Sequence, residues 1–142
     1  MRLVAFSGIC LTTLILTACG GTAAPQLSYA TGIVKFKGKP LSGAQVLFTP
    51  ENGPMAMGMT NDEGEFQLAT QGEEGAVIGP HRVTIRAVKV DEKAAKAAVG
   101  NDNAVVPVTS LIPEKYGILN ASGLTASVEK EADKNQYTFE LK

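Results

Sequence analysis

The 142-residue sequence contains no tryptophan, one histidine and two cysteines, and its 13 basic and 14 acidic residues almost balance. A single histidine, His81, leaves little for reactions that need an imidazole base or several histidine metal ligands. The charges form no block of one sign, so a nucleic-acid partner is not expected. Without tryptophan, a sugar would have to stack on Tyr29 or Tyr116, which are predicted to be the exposed aromatic residues.

Long apolar runs are also scarce, and the one near the start is short. It extends from Leu3 to Leu16 after the positive residue Arg2. A membrane-spanning helix needs about 20 apolar residues. A positive residue, a short apolar stretch and small residues after it are typical of a secretory signal peptide. Residues 1–18 are therefore predicted to be a cleaved signal, with a retained anchor as the alternative.

The four residues that close this run, Leu16-Thr17-Ala18-Cys19, resemble the lipobox of bacterial lipoproteins. The resemblance implies cleavage between Ala18 and Cys19 and attachment of acyl chains such as palmitate to Cys19. Two or three chains anchor a protein stably, since each buried methylene contributes about 0.8 kcal/mol. The predicted location is extracytoplasmic and membrane-anchored. Gly20, in place of the aspartate that retains some lipoproteins at the inner membrane, favours an outer membrane if the cell has one. An ordinary secretory signal with a chance cysteine is the alternative.

Cleavage would remove Cys10 and leave 124 residues with one cysteine, so no internal disulfide is expected. The small residues after Cys19 are typical of a flexible linker. We divide the mature chain into a lipidated cysteine with its tether, 19–29, and one domain, 30–142.

Within that domain, apolar and polar residues alternate with a period of two in short runs. The alternation is typical of strands with one buried face. The apolar members of six runs are Val34 and Phe36; Val46 and Phe48; Phe66 and Leu68; Val83, Ile85 and Ala87; Leu124, Ala126 and Val128; and Tyr137, Phe139 and Leu141. A seventh strand is predicted from Ala56 to Thr60. The prediction is an all-β fold, a single antiparallel β-sandwich of about seven strands.

Residues 91–104 interrupt the strand pattern. Asp91 can cap a helix, good helix formers follow, and Gly100 can end it. So short a helix would need to dock Ala94, Ala95, Ala98 or Val99 on another element. A mobile loop is an equal alternative, because polar turn residues follow Gly100.

Several motifs occur in the order seen in carboxypeptidase regulatory-like domains, also described as transthyretin-like, and in small bacterial lipoproteins of that type. They are Gly32-Ile33-Val34, Gly38-Lys39-Pro40-Leu41, Gly43-Ala44-Gln45-Val46, Thr60-Asn61-Asp62-Glu63-Gly64-Glu65-Phe66, Gly79-Pro80-His81-Arg82-Val83, Ile112-Pro113-Glu114-Lys115-Tyr116 and Ser122-Gly123-Leu124-Thr125. The resemblance implies a transthyretin-like or immunoglobulin-like sandwich. Two positions depart from the pattern: Asn61 replaces an aspartate, and His81 an aromatic residue, often tyrosine. This fold hosts many roles, so it does not define a function.

No set of catalytic residues is predicted. The histidine and tyrosine sets of hydroxyisourate hydrolases and intradiol dioxygenases are absent. His81, next to Arg82 at a strand start, is interpreted as an exposed or edge residue rather than a catalytic base. Glu73 and Glu74 are interpreted as a solvated turn in a glycine-rich loop.

Two metal-binding alternatives depend on local spacing. Met55, Met57 and Met59 would point to one face of a strand, and soft thioethers select Cu(I), although methionine also fills cores. Oxygen ligands at Asn61, Asp62, Glu63 and Glu65 could hold Ca²⁺, although a tight turn with a positive φ at Gly64 explains the same residues.

The predicted function is therefore a lipid-anchored, non-catalytic structural or protein-interaction module of the cell envelope. It needs no cofactor, and its partners are the membrane, through the lipid, and an envelope protein. The alternative is a ligand-binding lipoprotein for Cu(I), through the three methionines, or for a glycan.

Overall fold

A computed structural model of the chain describes residues 24–100 and 104–142. The predicted signal peptide 1–18, its cleavage site at Ala18 and the lipidation site Cys19 lie outside the described residues. Fourteen strands are found in the described part: β1 (Leu27–Ser28), β2 (Thr31–Phe36), β3 (Lys39–Pro40), β4 (Gln45–Pro50), β5 (Ala56–Met59), β6 (Glu65–Gln67), β7 (Ala69–Thr70), β8 (Glu73–Glu74), β9 (Ala76–Val77), β10 (Gly79–Arg86), β11 (Val88–Val90), β12 (Val108–Ser110), β13 (Leu124–Val128) and β14 (Gln136–Leu141). One α-helix, α1 (Glu92–Ala98), and two 3₁₀ turns, Glu114–Gly117 and Ala132–Lys134, complete this part of the chain.

The strands form an all-β sandwich, which confirms the predicted fold class. One sheet has the order β13-β10-β4-β5-β7-β8. The facing sheet has the order β14-β2-β3, and β6 lies beside β3 on the same edge of β2. All seven predicted strands are present as β2, β4, β5, β6, β10, β13 and β14. Glu73 and Glu74 are exposed as predicted, but they form the short strand β8 rather than a turn.

One strand pair departs from the expected antiparallel pattern. β14 runs parallel to β2, with Gln136 opposite Thr31 and Leu141 opposite Phe36. Parallel neighbours need a long connection, and here most of the domain lies between the two strands. The last strand, β14, thus lies beside β2, the first long strand.

Aromatic rings fill the space between the two sheets. The Phe48 ring lies 6.3 Å from Phe66, 5.3 Å from Tyr137 and 6.0 Å from Phe139, measured between centroids. These tilted and edge-to-face contacts are the arrangements that aromatic pairs prefer. Phe48 itself is completely buried, because alternation in β4 turns it inward with Val46.

The first strand of the described chain is already part of the fold. β1 pairs with β9, Leu27 opposite Val77, and lies within residues 19–29, which the sequence predicts to be tether. Ser28 is buried and its hydroxyl donates to the Lys130 carbonyl at 3.1 Å. Leu27 and Ser28 therefore belong to the folded part of the chain.

The insertion near 91–104 contains a helix rather than only a loop. The Asp91 carboxylate accepts from the backbone N–H groups of Lys93 at 2.9 Å and Ala94 at 3.1 Å. Gly100 follows the helix with a φ of +85°, as expected for a helix end. The expected docking is absent from the described residues, because no residue of α1 is buried. Strands β11 and β12 pair at its base. None of the described helices has the length and apolar character to cross a membrane.

Candidate functional site

The outer side of the six-stranded sheet carries three exposed methionines. Met57 and Met59 alternate with buried residues along β5, and Met55 lies immediately before this strand. Their exposed fractions are 56% for Met55, 50% for Met57 and 62% for Met59. The prediction that all three share one face agrees with this placement. Their exposure excludes a role as gap fillers between the sheets.

The strands beside β5 extend this surface. Register places Gln45 opposite Met59 and Leu47 opposite Met57, and the Gln45 amide donates to the Met57 sulfur at 2.9 Å. We call the outward residues of β10, β4 and β5, together with Met55 just before β5, the methionine face. Its members are Gln45, Leu47, Thr49, Met55, Met57, Met59, Arg82, Thr84 and Arg86.

Two arginines border the methionine face on β10. Arg82 lies opposite Thr49, and Arg86 lies opposite Gln45, so both project from the same side of the sheet as the methionines. The Arg82 guanidinium donates to the Asn120 side-chain oxygen at 2.8 Å. In the described residues, neither arginine has a carboxylate within salt-bridge distance. The face therefore combines exposed thioethers with two unpaired positive charges.

The spacing of the methionines bears on the Cu(I) alternative. Four residues of extended chain separate Met55 from Met59 by about 13 Å. A thioether sulfur reaches a metal at about 2.3 Å, comparable to other sulfur ligands. Met55 and Met59 can therefore share one ion only with both side chains extended toward each other along the strand. In the described part of the chain, no group of three or more histidine, cysteine or acidic side chains is arranged to hold a metal.

The residues considered for Ca²⁺ form a tight turn. The Asn61 side-chain oxygen accepts from the backbone N–H groups of Glu63 at 3.1 Å and Glu65 at 2.8 Å. Asp62 accepts a hydrogen bond from the Ser42 hydroxyl at 2.8 Å. Gly64 has a φ of +76°, as the turn interpretation expects. The side-chain oxygens of Asn61 and Asp62 thus accept hydrogen bonds from the protein itself.

His81 is buried, with 3% of its surface exposed, so its interpretation as an exposed or edge residue is wrong. Alternation turns it inward with Val83, while Arg82 faces outward. The imidazole packs 5.7 Å from the Phe48 ring, and its Nδ1 lies 2.9 Å from the Gly79 carbonyl oxygen. Burial lowers the pKa of His81, and the hydrogen bond to Gly79 opposes this shift less strongly. Nε2 is buried and has no hydrogen-bond partner in the described residues.

A groove of about 520 Å³ crosses the outer side of the other sheet. Tyr29 lines it and is 43% exposed, as predicted. The amides of Gln67 and Gln136 line the groove beside it. Tyr116, the other tyrosine predicted to be exposed, is instead buried because it packs in the core cluster, and its hydroxyl accepts from the Lys142 backbone N–H at 3.1 Å.

No protein-family model matches the chain, and no curated protein matches it. Among solved structures, it is similar to a 9R-lipoxygenase from Cyanothece PCC8801 at 16% identity, with a TM-score of 0.34. The match covers 96% of this chain and 18% of that chain. A likeness of this size carries no argument about fold or activity. The resemblance to carboxypeptidase regulatory-like domains therefore stays a prediction.

Proposed function

We propose that the chain is a lipid-anchored, extracytoplasmic β-sandwich of the carboxypeptidase regulatory-like type, without catalytic activity, that binds a protein at the cell envelope. The methionine face carries this proposal. Exposed clusters of apolar side chains mark interaction sites on soluble domains. Methionine and arginine are both enriched at protein interfaces, and flexible thioethers adapt to different partner surfaces.

The lipid anchor is supported by the residues Leu16 to Cys19 alone. Replacing Cys19 by alanine in the full chain removes the thiol that would carry the diacylglycerol. We expect this variant to lose incorporation of an alkyne-labelled palmitate and to leave the carbonate-washed membrane fraction. Gly20→Ala keeps the thiol and serves as the matched control. If the Cys19→Ala protein stays in the washed membranes, the anchor is not at Cys19.

Docking on the methionine face can be tested in the native envelope. A photo-crosslinking amino acid at Met57 should give a discrete protein adduct, because this exposed side chain lies between Met55 and Met59 on the face. The same amino acid at Lys130, exposed on a different part of the domain, is the control and should not give that adduct. Equal adducts from both positions, or none from Met57, would contradict the proposal.

A second candidate function is glycan binding in the groove beside Tyr29. An exposed tyrosine ring next to the amides of Gln67 and Gln136 can stack on a sugar and bond to its hydroxyls. Affinity electrophoresis in gels containing peptidoglycan fragments or purified polysaccharides tests it. Retardation should disappear with Tyr29→Ala and persist with Gln71→Ala, which changes an exposed side chain outside the groove.

A further inference from the structure

We infer that the protein partner docks an acidic and apolar segment on the methionine face, with its carboxylates over Arg82 and Arg86 and its apolar side chains over the methionines. This inference rests on the proposed function and names the chemistry of its partner. It follows from the positions of the arginines and methionines and from their exposure. It also follows from the finding that, in the described residues, no carboxylate lies within salt-bridge distance of either arginine.

The face has one column of side chains on each side of β4: the arginines on β10 and the methionines at β5. Arg82 and Arg86 are four residues apart on β10, which separates them by about 13 Å along the strand. Met55 and Met59 repeat this spacing on the other side. Because β4 lies between β10 and β5, the columns are about 10 Å apart, two strand spacings. One partner segment can contact both columns.

The side chains of β4, between these two columns, are suited to an apolar contact. Leu47 is half-buried between Thr84 on one side and Met57 on the other. Thr84 is buried although it belongs to the outward set. Thr84 therefore offers the partner little surface. The apolar surface consists of the exposed part of Leu47 and the thioether of Met57, and the arginines lie at the margin. A dry centre with a polar rim is the usual arrangement of a protein interface.

The charges near the face are unevenly distributed. Arg82 and Arg86 lie on one side of the methionines, and Glu74 lies on the other side, opposite Ala69 in the same row as Met57. Glu51 lines the cavity next to Arg82, and Glu114 lines the cavity next to Arg86. In the described residues, neither carboxylate is within salt-bridge distance of an arginine. A partner with carboxylates over β10 would therefore gain two attractive contacts, and reversing its orientation would place them near Glu74. The charge pattern selects both the sign of the partner and its direction.

An anionic lipid surface could also neutralise two arginines. The geometry favours a protein, because the positive charges occupy one margin and Glu74 the other. A headgroup layer, whose charge is uniform, would meet attraction at one side and repulsion at the other. Two arginines also contribute only about 2 kcal/mol to binding at an anionic membrane.

The experiment uses the detergent-solubilised full chain as bait for a phage-displayed library of random 16-residue peptides. We expect selected peptides to be enriched in aspartate or glutamate together with leucine, phenylalanine or methionine. Synthetic copies of these peptides are then titrated by fluorescence polarisation. Binding should weaken at least tenfold with the double variant Arg82→Glu, Arg86→Glu, and should also weaken as salt rises from 50 to 500 mM.

Two controls make the result specific. The double variant Lys39→Glu, Lys130→Glu makes the same change in net charge at exposed positions away from the face and should bind normally. The milder pair Arg82→Gln, Arg86→Gln should weaken binding in the same direction, and its thermal unfolding shows that the loss is not a folding defect.

Selection of neutral or basic peptides, or unchanged affinity in the arginine variants, overturns the inference. So does charge-dependent binding of the chain to vesicles containing 30% phosphatidylglycerol that displaces the peptides. Met57→Glu separates the two proposals, because it removes the middle one of the three methionines that supply the apolar contact. If it abolishes binding while the arginine variants do not, the docking face stands and the acidic partner does not. If it too leaves binding unchanged, the docking face also fails.

Discussion

Ser28 and Asn135 lie 107 positions apart in the chain, and the Asn135 amide donates to the Ser28 hydroxyl oxygen at 2.9 Å. The same amide nitrogen lies 3.1 Å from the Tyr29 carbonyl and 2.9 Å from the Glu129 carbonyl. Its oxygen accepts from the Glu129 backbone N–H at 2.7 Å. Asn135 is completely buried, so this single amide joins the N-terminal strand to the segment before β14.

Replacing Asn135 by leucine should destabilise the domain strongly. The change keeps side-chain size but leaves the Glu129 N–H and two carbonyl groups without their partner inside the protein. A buried polar group that loses its partner costs about 1–3 kcal/mol, and we expect a loss of about 3 kcal/mol in the free energy of unfolding. Urea denaturation measures it, and Asn52→Leu, at an exposed loop position, is the control. Equal stability of the two variants would contradict the structural role of Asn135.

Stability should fall in mild acid because of His81. Burial lowers its pKa in the folded state below the ordinary value of 6.5, so the unfolded chain binds the proton more tightly. As pH falls through 6.5, protonation therefore favours unfolding, until the pH reaches the folded pKa. Urea midpoints measured between pH 8 and pH 5 should decrease less for His81→Phe, which keeps a ring beside Phe48. Parallel curves for the two proteins would exclude this contribution.

Gly64 should tolerate a side chain far less well than Gly38. Both residues have a positive φ, +76° and +79° respectively. A Cβ at Gly64 would lie 2.6 Å from the Val34 carbonyl oxygen, whereas a Cβ at Gly38 would have no atom within 4 Å. We expect Gly38→Ala to cost about 1 kcal/mol and Gly64→Ala about 3 kcal/mol, the difference being steric. Thermal unfolding of the pair tests this, and equal costs would show that the Gly64 turn adjusts freely.

Loss of the Asp91 cap should act locally. Asp91→Ala removes the acceptor for two helix N–H groups and costs about 1 kcal/mol of helix stability. Because α1 buries no residue, its unfolding should leave the sandwich unaffected. Amide exchange of residues 93–98 should quicken while the urea midpoint stays constant. Glu92→Gln keeps the cap and removes only a first-turn charge, so it should quicken amide exchange less than Asp91→Ala and leave the urea midpoint unchanged. A lowered urea midpoint in Asp91→Ala would mean that the helix supports the core.

The long strands could be predicted because each has enough residues to show alternation, as Val83 and Ile85 do in β10. Two-residue strands such as β1 and β9 have no period to detect, so the sequence does not indicate them. Periodicity also assigns a side chain to a face without identifying the strand beside it. The parallel pairing of β14 with β2 therefore could not be predicted. The burial of His81 follows from the same alternation, since His81 stands two positions before Val83, but its place next to Arg82 at a strand start favours exposure.

The candidate site was predicted in part. Spacing alone placed Met55, Met57 and Met59 on one face, but methionine occurs both in cores and on surfaces, so the sequence did not show which face. Nothing in the sequence pattern indicates the contribution of Arg82 and Arg86. They are distant from the methionines in the chain, and only the register of β10, β4 and β5 brings them to one surface.

The pairing of β2 with β14 has a kinetic consequence. Thr31 and Gln136 face each other across 105 positions of sequence, so one edge of β2 has no partner until the final residues are available. Contacts of such high sequence separation slow folding. A chain delivered across a membrane from its N-terminus would thus complete its second sheet only after the C-terminal strand had crossed. Until then, the exposed edge of β2 is a site for pairing with other chains and for binding chaperones.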